Sequence, residues 1–244
     1  MRRFVVYSLI ALGGAAGVAR ADDDTQWGAP MTGPFSSPEE LCGAIKSCGE
    51  GTRAHGACGQ PAVKGVLAPG GLLEDLRIQT VDCRFPDDKS GYVVPRLLAR
   101  TSAGWFATDG FARAVHDQQG CSDRVTVVER AFRDVDAAPG EEITVRLRVE
   151  TNCGQGKSAS RQVSESLVVL APAGGSESPR ATPPVLLRSE VRPRGGKPTI
   201  AQLEARFDGG ALVVEPVSTQ QTPETRATIG RHPLTLRATP PPRR

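Results

Sequence analysis

Six cysteines, three histidines and a few short clusters of acids, glycines or aromatics are the residues of this 244-residue chain whose types and spacing could do chemistry. His55 and Cys58 form an H-x-x-C pair with Cys48 upstream, three residues that hold zinc when the sulfurs are thiolates. Asp134, Asp136, Glu141 and Glu142 gather around Gly140 in the manner of a calcium loop, but Ala138 stands where a third ligand belongs and the glycine comes late. Gly154 to Ser158 ends in the Gly-Lys-Ser of a phosphate loop. Thr151 occupies the upstream glycine position, and the segment leads into a strand pattern instead of the helix whose N-terminus would receive a phosphate. His116 beside Asp117, and His232, are the candidate bases for a hydrolase, and no G-x-S-x-G elbow accompanies them. Trp105 and Phe106, with Tyr92 on the adjoining strand pattern, are the one aromatic cluster. Core packing is the plain reading of that cluster and a partner contact the other, and the face the rings take decides between them.

The compartment decides how the cysteines are read. Met1-Arg2-Arg3, an apolar stretch from Phe4 to Val18 and Ala19-Arg20-Ala21 have the order of a cleaved export signal. The apolar stretch is shorter than the ~20 residues of a membrane-spanning helix. Removal of residues 1–21 takes away Arg2, Arg3 and Arg20 and brings the formal charge of +3 to zero. What remains divides into 16 basic against 21 acidic residues over 22–171, and 11 against 6 over 172–244. A modest excess spread along a Pro-rich stretch is not the compact basic face that phosphate binding requires, so nucleic acid is not expected as a partner. In an oxidising compartment Cys42, Cys48, Cys58, Cys83, Cys121 and Cys153 read as three disulfides, which removes the thiolates a zinc site would need. No metal and no cofactor is expected.

The positioning elements follow from periodicity. Ser37-Pro38-Glu39-Glu40 is a capping box with proline at the first helical position, and predicts a short helix from Pro38 to about Cys48, stopped by Gly49. The pattern then changes to period two. Strands are predicted from Leu76 to Cys83 and from Tyr92 to Thr101, the second turning through Ser102-Ala103-Gly104 into Trp105-Phe106-Ala107. Pro95 inside the second strand predicts an edge or a bulge. Val125 to Val135 and Ile143 to Thr151 make the clearest hairpin, the second arm alternating Ile143, Val145, Leu147 and Val149 with Thr144, Arg146, Arg148 and Glu150. Further strands are predicted at Val163–Leu170, Val185–Val191, Ile200–Phe207 and Leu212–Val217, the last two joined at Asp208-Gly209-Gly210.

The hairpin brings Cys121 and Cys153 together. Cys42 and Cys48 on one helix would stand roughly 9 Å apart in rise, too far to bridge. The preferred remainder is Cys48–Cys58 with Cys42–Cys83.

The fold class is therefore mainly β, an antiparallel β-sandwich or barrel with one short N-terminal helix, stabilised by disulfides. The expected organisation is a signal peptide over 1–21, a flexible segment over 22–34, one β-rich domain over 35–218 and a mostly disordered Pro/Arg-rich tail over 219–244. Arginine outnumbers lysine 25 to 5, a bias of GC-rich bacterial genomes, which together with the leader places the protein in the periplasm or outside the cell. The expected function is non-enzymatic binding of another macromolecule, a protein before other classes. A secreted hydrolase and a structural envelope component are the alternatives.

Overall fold

The structure, a computed structural model, describes residues 27–44, 48, 51–55, 73–86, 91–108, 110–111, 114–116, 121–135, 141–154, 159–172 and 178–236. In chain order the elements are β1 (Ala29–Pro30), β2 (Thr32–Phe35), α1 (Pro38–Ala44), β3 (Arg53–His55), β4 (Asp75–Arg84), β5 (Gly91–Thr101), β6 (Gly104–Ala107), β7 (Ala114–His116) and β8 (Cys121–Arg133). They continue with β9 (Glu142–Cys153), β10 (Ser160–Ala171), β11 (Arg180–Ala181), β12 (Val185–Arg192), β13 (Thr199–Asp208), β14 (Ala211–Pro216), α2 (Pro223–Arg226) and β15 (Gly230–Pro233).

Two curled antiparallel sheets result, in a sandwich-like and barrel-like arrangement. The smaller runs β2-β6-β5-β4-β3, with β7 also on β5. The larger runs β8-β9-β10-β12-β13-β14-β15, with β11 on β10 and β1 on β11. Alternation on β9 sends Ile143, Val145 and Leu147 into a core shared with Leu76, Ile78, Leu97 and Phe106 of the smaller sheet. β10 serves two cores, because Val168 and Leu170 face that inter-sheet core while Leu167, Val169 and Ala171 face a second one.

The second core lies where the larger sheet curls. Leu187, Leu203, Leu212, Val214 and Leu236 fill it together with Trp27. An isolated bridge joins Trp27 to Leu234, so the pairings run from β10 through β12, β13, β14 and β15 to Trp27 and return through β1 and β11. Thr235 donates its N–H to the Trp27 carbonyl at 3.1 Å, and Arg180 Nε donates to the Gly28 carbonyl at 2.9 Å. Gly28 has φ +153°, and a Cβ there would meet the Thr235 carbonyl oxygen at 2.3 Å. Only glycine lets the two backbones approach this closely.

Several expectations change. Residues 27–34, expected to be flexible, carry β1 and all of β2 but Phe35, and bury Trp27 and Met31. Residues 219–236, expected to be tail, carry α2 and β15 and bury Leu234 and Leu236. These pieces are two to four residues long, too short to show a period, and they are held by partners far away in sequence. Pro95 is not on an edge: it pairs with Thr80 of β4. Its other side lies between the β6 and β7 pairings, where its carbonyl accepts from the Phe111 N–H at 2.7 Å. The missing N–H therefore falls where no strand asks for one. In the capping box Ser37 Oγ accepts from the Glu40 N–H at 3.1 Å, as expected. The Glu40 carboxylate accepts instead from the Ser36 N–H at 2.8 Å and from the Ser36 hydroxyl, one residue earlier than the motif predicts.

Cys121–Cys153 closes the open end of the β8–β9 hairpin, where the two residues are direct register partners with Cα atoms 4.1 Å apart. The other two expected pairings, Cys48–Cys58 and Cys42–Cys83, are both corrected: Cys48 bonds Cys83, with Cα atoms 5.5 Å apart. Helical spacing excludes only a Cys42–Cys48 bond, and these two are not joined. Cys48 lies beyond the described part of α1 in a bend, and which of the pair reaches Cys83 is set by tertiary placement that local spacing does not encode. Cys42 is also disulfide-bonded, and Cys58 lies outside the described residues.

Candidate functional site

The residues singled out for chemistry do not come together. Cys48 is oxidised, and His55 sits on β3 opposite Asp82. His116 is on β7 opposite Gly91, while Asp117 is outside the described residues. His232 is not in a tail: it is buried on β15, stacked on Trp27 with ring centroids 3.7 Å apart, and its Nε2 lies 3.0 Å from the Thr228 carbonyl. These contacts lock a ring closure and leave no open face for a substrate. Glu142, a candidate calcium ligand, is buried and accepts the Val135 N–H at 3.0 Å, while Asp134 and Glu141 are exposed and Asp136 is not described. Of the phosphate-loop fragment only Gly154 is described. Among the described residues no group of three or more His, Cys, Asp and Glu could hold a metal ion.

The aromatic cluster is also internal. Trp105 packs with Leu41, Leu98 and Phe35, under the guanidinium groups of Arg77 and Arg100 at 5.0 and 5.9 Å. Phe106 lies in the inter-sheet core. Tyr92 lies with Cys83, Val81 and Val94, its hydroxyl 2.9 Å from Thr52 Oγ1. All three side chains are buried, and in this placement they offer no surface to a partner.

What the structure does assemble is a charged face on β9, β10 and β12. Register places Glu165 between Arg148 and Arg188, and Val163 between Glu150 and Glu190. One row further, Arg161 lies between Asn152 and Arg192. Arg148 donates from Nε and Nη2 to Glu165 Oε1 at 2.8 and 2.6 Å, and Arg146 reaches Glu165 Oε2 at 3.1 Å. Arg161 forks onto both oxygens of Glu150 at 3.0 Å and approaches Glu190 at 3.7 Å. Arg188 reaches Glu190 at 2.7 Å. Hydrogen bonds from Arg161 and then from Asn152 hold the Glu150 carboxyl below its ordinary pKa, and Glu150 in turn raises that of Arg161.

The two signs are not equally visible to solvent. Side chains of Arg148, Arg161 and Arg188 are 40%, 37% and 31% exposed, whereas Glu165 and Glu190 are 3% and 5% exposed. Glu165 and Glu190 lie underneath and the guanidinium groups on top, while Glu150 is only partly covered, with 25% of its side chain exposed. Each buried acid is paired, which is the condition for burying one.

The same face opens at one end into a trough of about 410 Å³. β13 pairs with β12 only from Thr199 to Gln202, and turns to β14 from Leu203 onward. The trough occupies this divergence. Leu167, Leu187 and Leu203 are at its floor, Phe207 and Val217 on one side, and Glu129 and Arg133 of β8 on the other. Arg146 belongs to both the trough and the charged rows. The polar positions Arg146, Arg148 and Glu150 are visible in the alternation of β9. Their partners on β10 and β12 could be found only with the register, which a bulge between Glu165 and Ser166 shifts.

Compared with known proteins, the chain matches no family, no curated protein and no solved structure, so the functional reading rests on these residues.

Proposed function

We propose that this chain is an exported, disulfide-fastened β protein that binds another macromolecule through the face of β9, β10 and β12. The observation that carries the reading is the layered charge: guanidinium groups held at the surface by buried glutamates, beside a trough with a leucine floor. Such groups are held in place before a partner arrives, which lowers the ordering cost of binding. Arginine stays charged at any physiological pH and offers forked donors, so the face suits recognition and not proton transfer. Export is supported by the leader-like start of the sequence and by disulfides, which persist in oxidising compartments. Among the described residues no helix is long and apolar enough to cross a membrane.

The experiment is a pull-down from a bacterial envelope fraction and culture medium with the oxidised chain starting at Asp22. It is run beside a variant carrying Arg148→Lys and Arg192→Glu, with circular dichroism verifying the fold of both. The expected result is a partner retained by the parent and lost from the variant. Retention of the same proteins by both, or of none by the parent, would sink the reading.

A further inference from the structure

Resting on the binding reading above, we infer that the partner presents an extended acidic polypeptide segment with one apolar side chain, the acids lying over the arginines and the apolar group entering the trough. The spacing carries the first half. Same-face residues of a strand recur about every 6.8 Å, twice the rise per residue. Arg146 and Arg148 follow that interval along β9, with Arg188 two strands away beside Glu165. An extended peptide repeats its own same-face side chains at the same interval, so alternate carboxylates meet successive guanidinium groups.

The far end of the face supplies a second, independent observation. Arg161 and Arg192 are direct cross-strand partners, and like charges in that position repel unless an anion lies between them. Arg161 turns to Glu150 and Glu190. Arg192 is exposed and makes no ion pair with a described residue, and the exposed Arg194 and Lys197 follow it in the next loop. Among the described residues, the end of the face opposite the trough thus holds cations that no acid pairs. From Arg146 to Asn152 the strand advances about 20 Å, the length of roughly six extended residues.

The trough carries the second half. Val217 is 57% exposed on its wall, above the buried Leu167, Leu187 and Leu203. Glu129, Thr144, Gln202 and Glu204 make the rest of the lining polar, so the trough suits one leucine- or phenylalanine-sized group that covers its apolar floor and Val217. A polyphosphate lacks such a group. Its evenly repeated charges would also be set against Glu150 and Glu190, which separate the arginine rows. A peptide can place a neutral residue over that row.

The test uses a fluorescent eight-residue peptide with glutamates at alternate positions and one leucine near an end, measured by anisotropy against the oxidised mature chain. Controls are the same peptide with lysine for glutamate, the peptide with serine for leucine, a single-stranded oligonucleotide of equal charge, and phosphatidylglycerol vesicles. The expected result is saturable binding of the acidic peptide, weakened about fivefold or more by Arg192→Glu and separately by Val217→Asp. Both positions are exposed, so melting temperatures should stay within about 2 °C of the parent. Replacing leucine by serine should lower affinity in the parent and make no difference in Val217→Asp. Equal affinity in parent and variants, or tighter binding of the oligonucleotide or the vesicles, would overturn the inference. A pull-down partner that the peptide fails to displace would overturn it too, while leaving the binding reading standing.

Discussion

The inter-sheet core and the core inside the curled part of the larger sheet share β10, yet they are fastened by different means. Val168 belongs to the first and Val169 to the second, and both are fully buried. Around the first, Cys48–Cys83 ties the segment after α1 to β4, and Cys121–Cys153 ties β8 to β9. Among its described residues the second contains no cysteine. It is closed by Trp27 against His232, Leu234 and Thr235, residues about two hundred positions apart in sequence. One region has its long loops shortened covalently in the unfolded chain, and the other closes its long loop only with native contacts. Both bridges lie within the loop from Trp27 to His232 and shorten it, but no covalent bond closes it, so the rest of its closure entropy is met by packing and hydrogen bonds alone.

Breaking the non-covalent closure should have the largest effect. Trp27→Ala removes a buried indole and its stack on His232, leaving the backbone bridge without the packing that covers it, and is expected to cost about 3–5 kcal/mol. Amide exchange gives the sharper reading. Protection should fall in β1, β14 and β15 before it falls in β4 and β5, and a uniform loss across both regions would show that the two cores do not open separately.

The covalent side is tested by Cys48→Ser with Cys83→Ser, which opens a loop of 35 residues and is expected to cost about 2–4 kcal/mol. Denaturant titration measures the total, and the early loss of protection should lie in β3 and β4. If β14 and β15 loosen first, the contrast between the regions fails.

How far the sequence reached follows the same division. β4, β5, β6, β8, β9, β10, β12, β13 and β14 were all legible, because each alternates or is bounded by turn residues. Gly209 and Gly210 have φ +54° and +74° at the predicted turn between β13 and β14. Cys121–Cys153 was legible because hairpin register is local. The ring closure was not: β1, β11 and β15 are too short to show periodicity, and Trp27 finds its partners at the other end of the chain. Of the candidate site, the charged positions on β9 were visible as one face of a strand. Glu165, Arg188 and Glu190 became their partners only through long-range register, and the trough exists because β13 leaves β12 at Leu203.

A smaller effect probes the strand common to both cores. Val168→Ala and Val169→Ala delete the same two methyl groups one residue apart, at an expected cost of about 1–3 kcal/mol each. The totals should be similar and the distributions opposite. Exchange should rise around Leu76 and Leu97 for the first, and around Leu203 and Leu212 for the second. Two identical exchange maps would mean that β10 couples the cores into one cooperative unit.

The smallest expected effect compares a carboxylate from each region. Glu150 is held below its ordinary pKa by hydrogen bonds from Arg161 and Asn152. Asp208, at the turn of the curled region, is held down by Arg231, whose Nη1 lies 2.6 Å away. A carboxyl whose pKa is depressed on folding binds protons more readily when unfolded. Its contribution is therefore present above the unfolded pKa, about 4, and is lost as pH falls through the lower folded value. Glu150→Gln and Asp208→Asn should each lower the melting temperature near pH 7 and converge on the parent in strong acid. The Glu150 side chain is 25% exposed and that of Asp208 50% exposed, and solvent screens the second pair more. The separation between parent and variant should accordingly be wider for Glu150→Gln, and a wider gap for Asp208→Asn would place the stronger ion pair in the curled region instead.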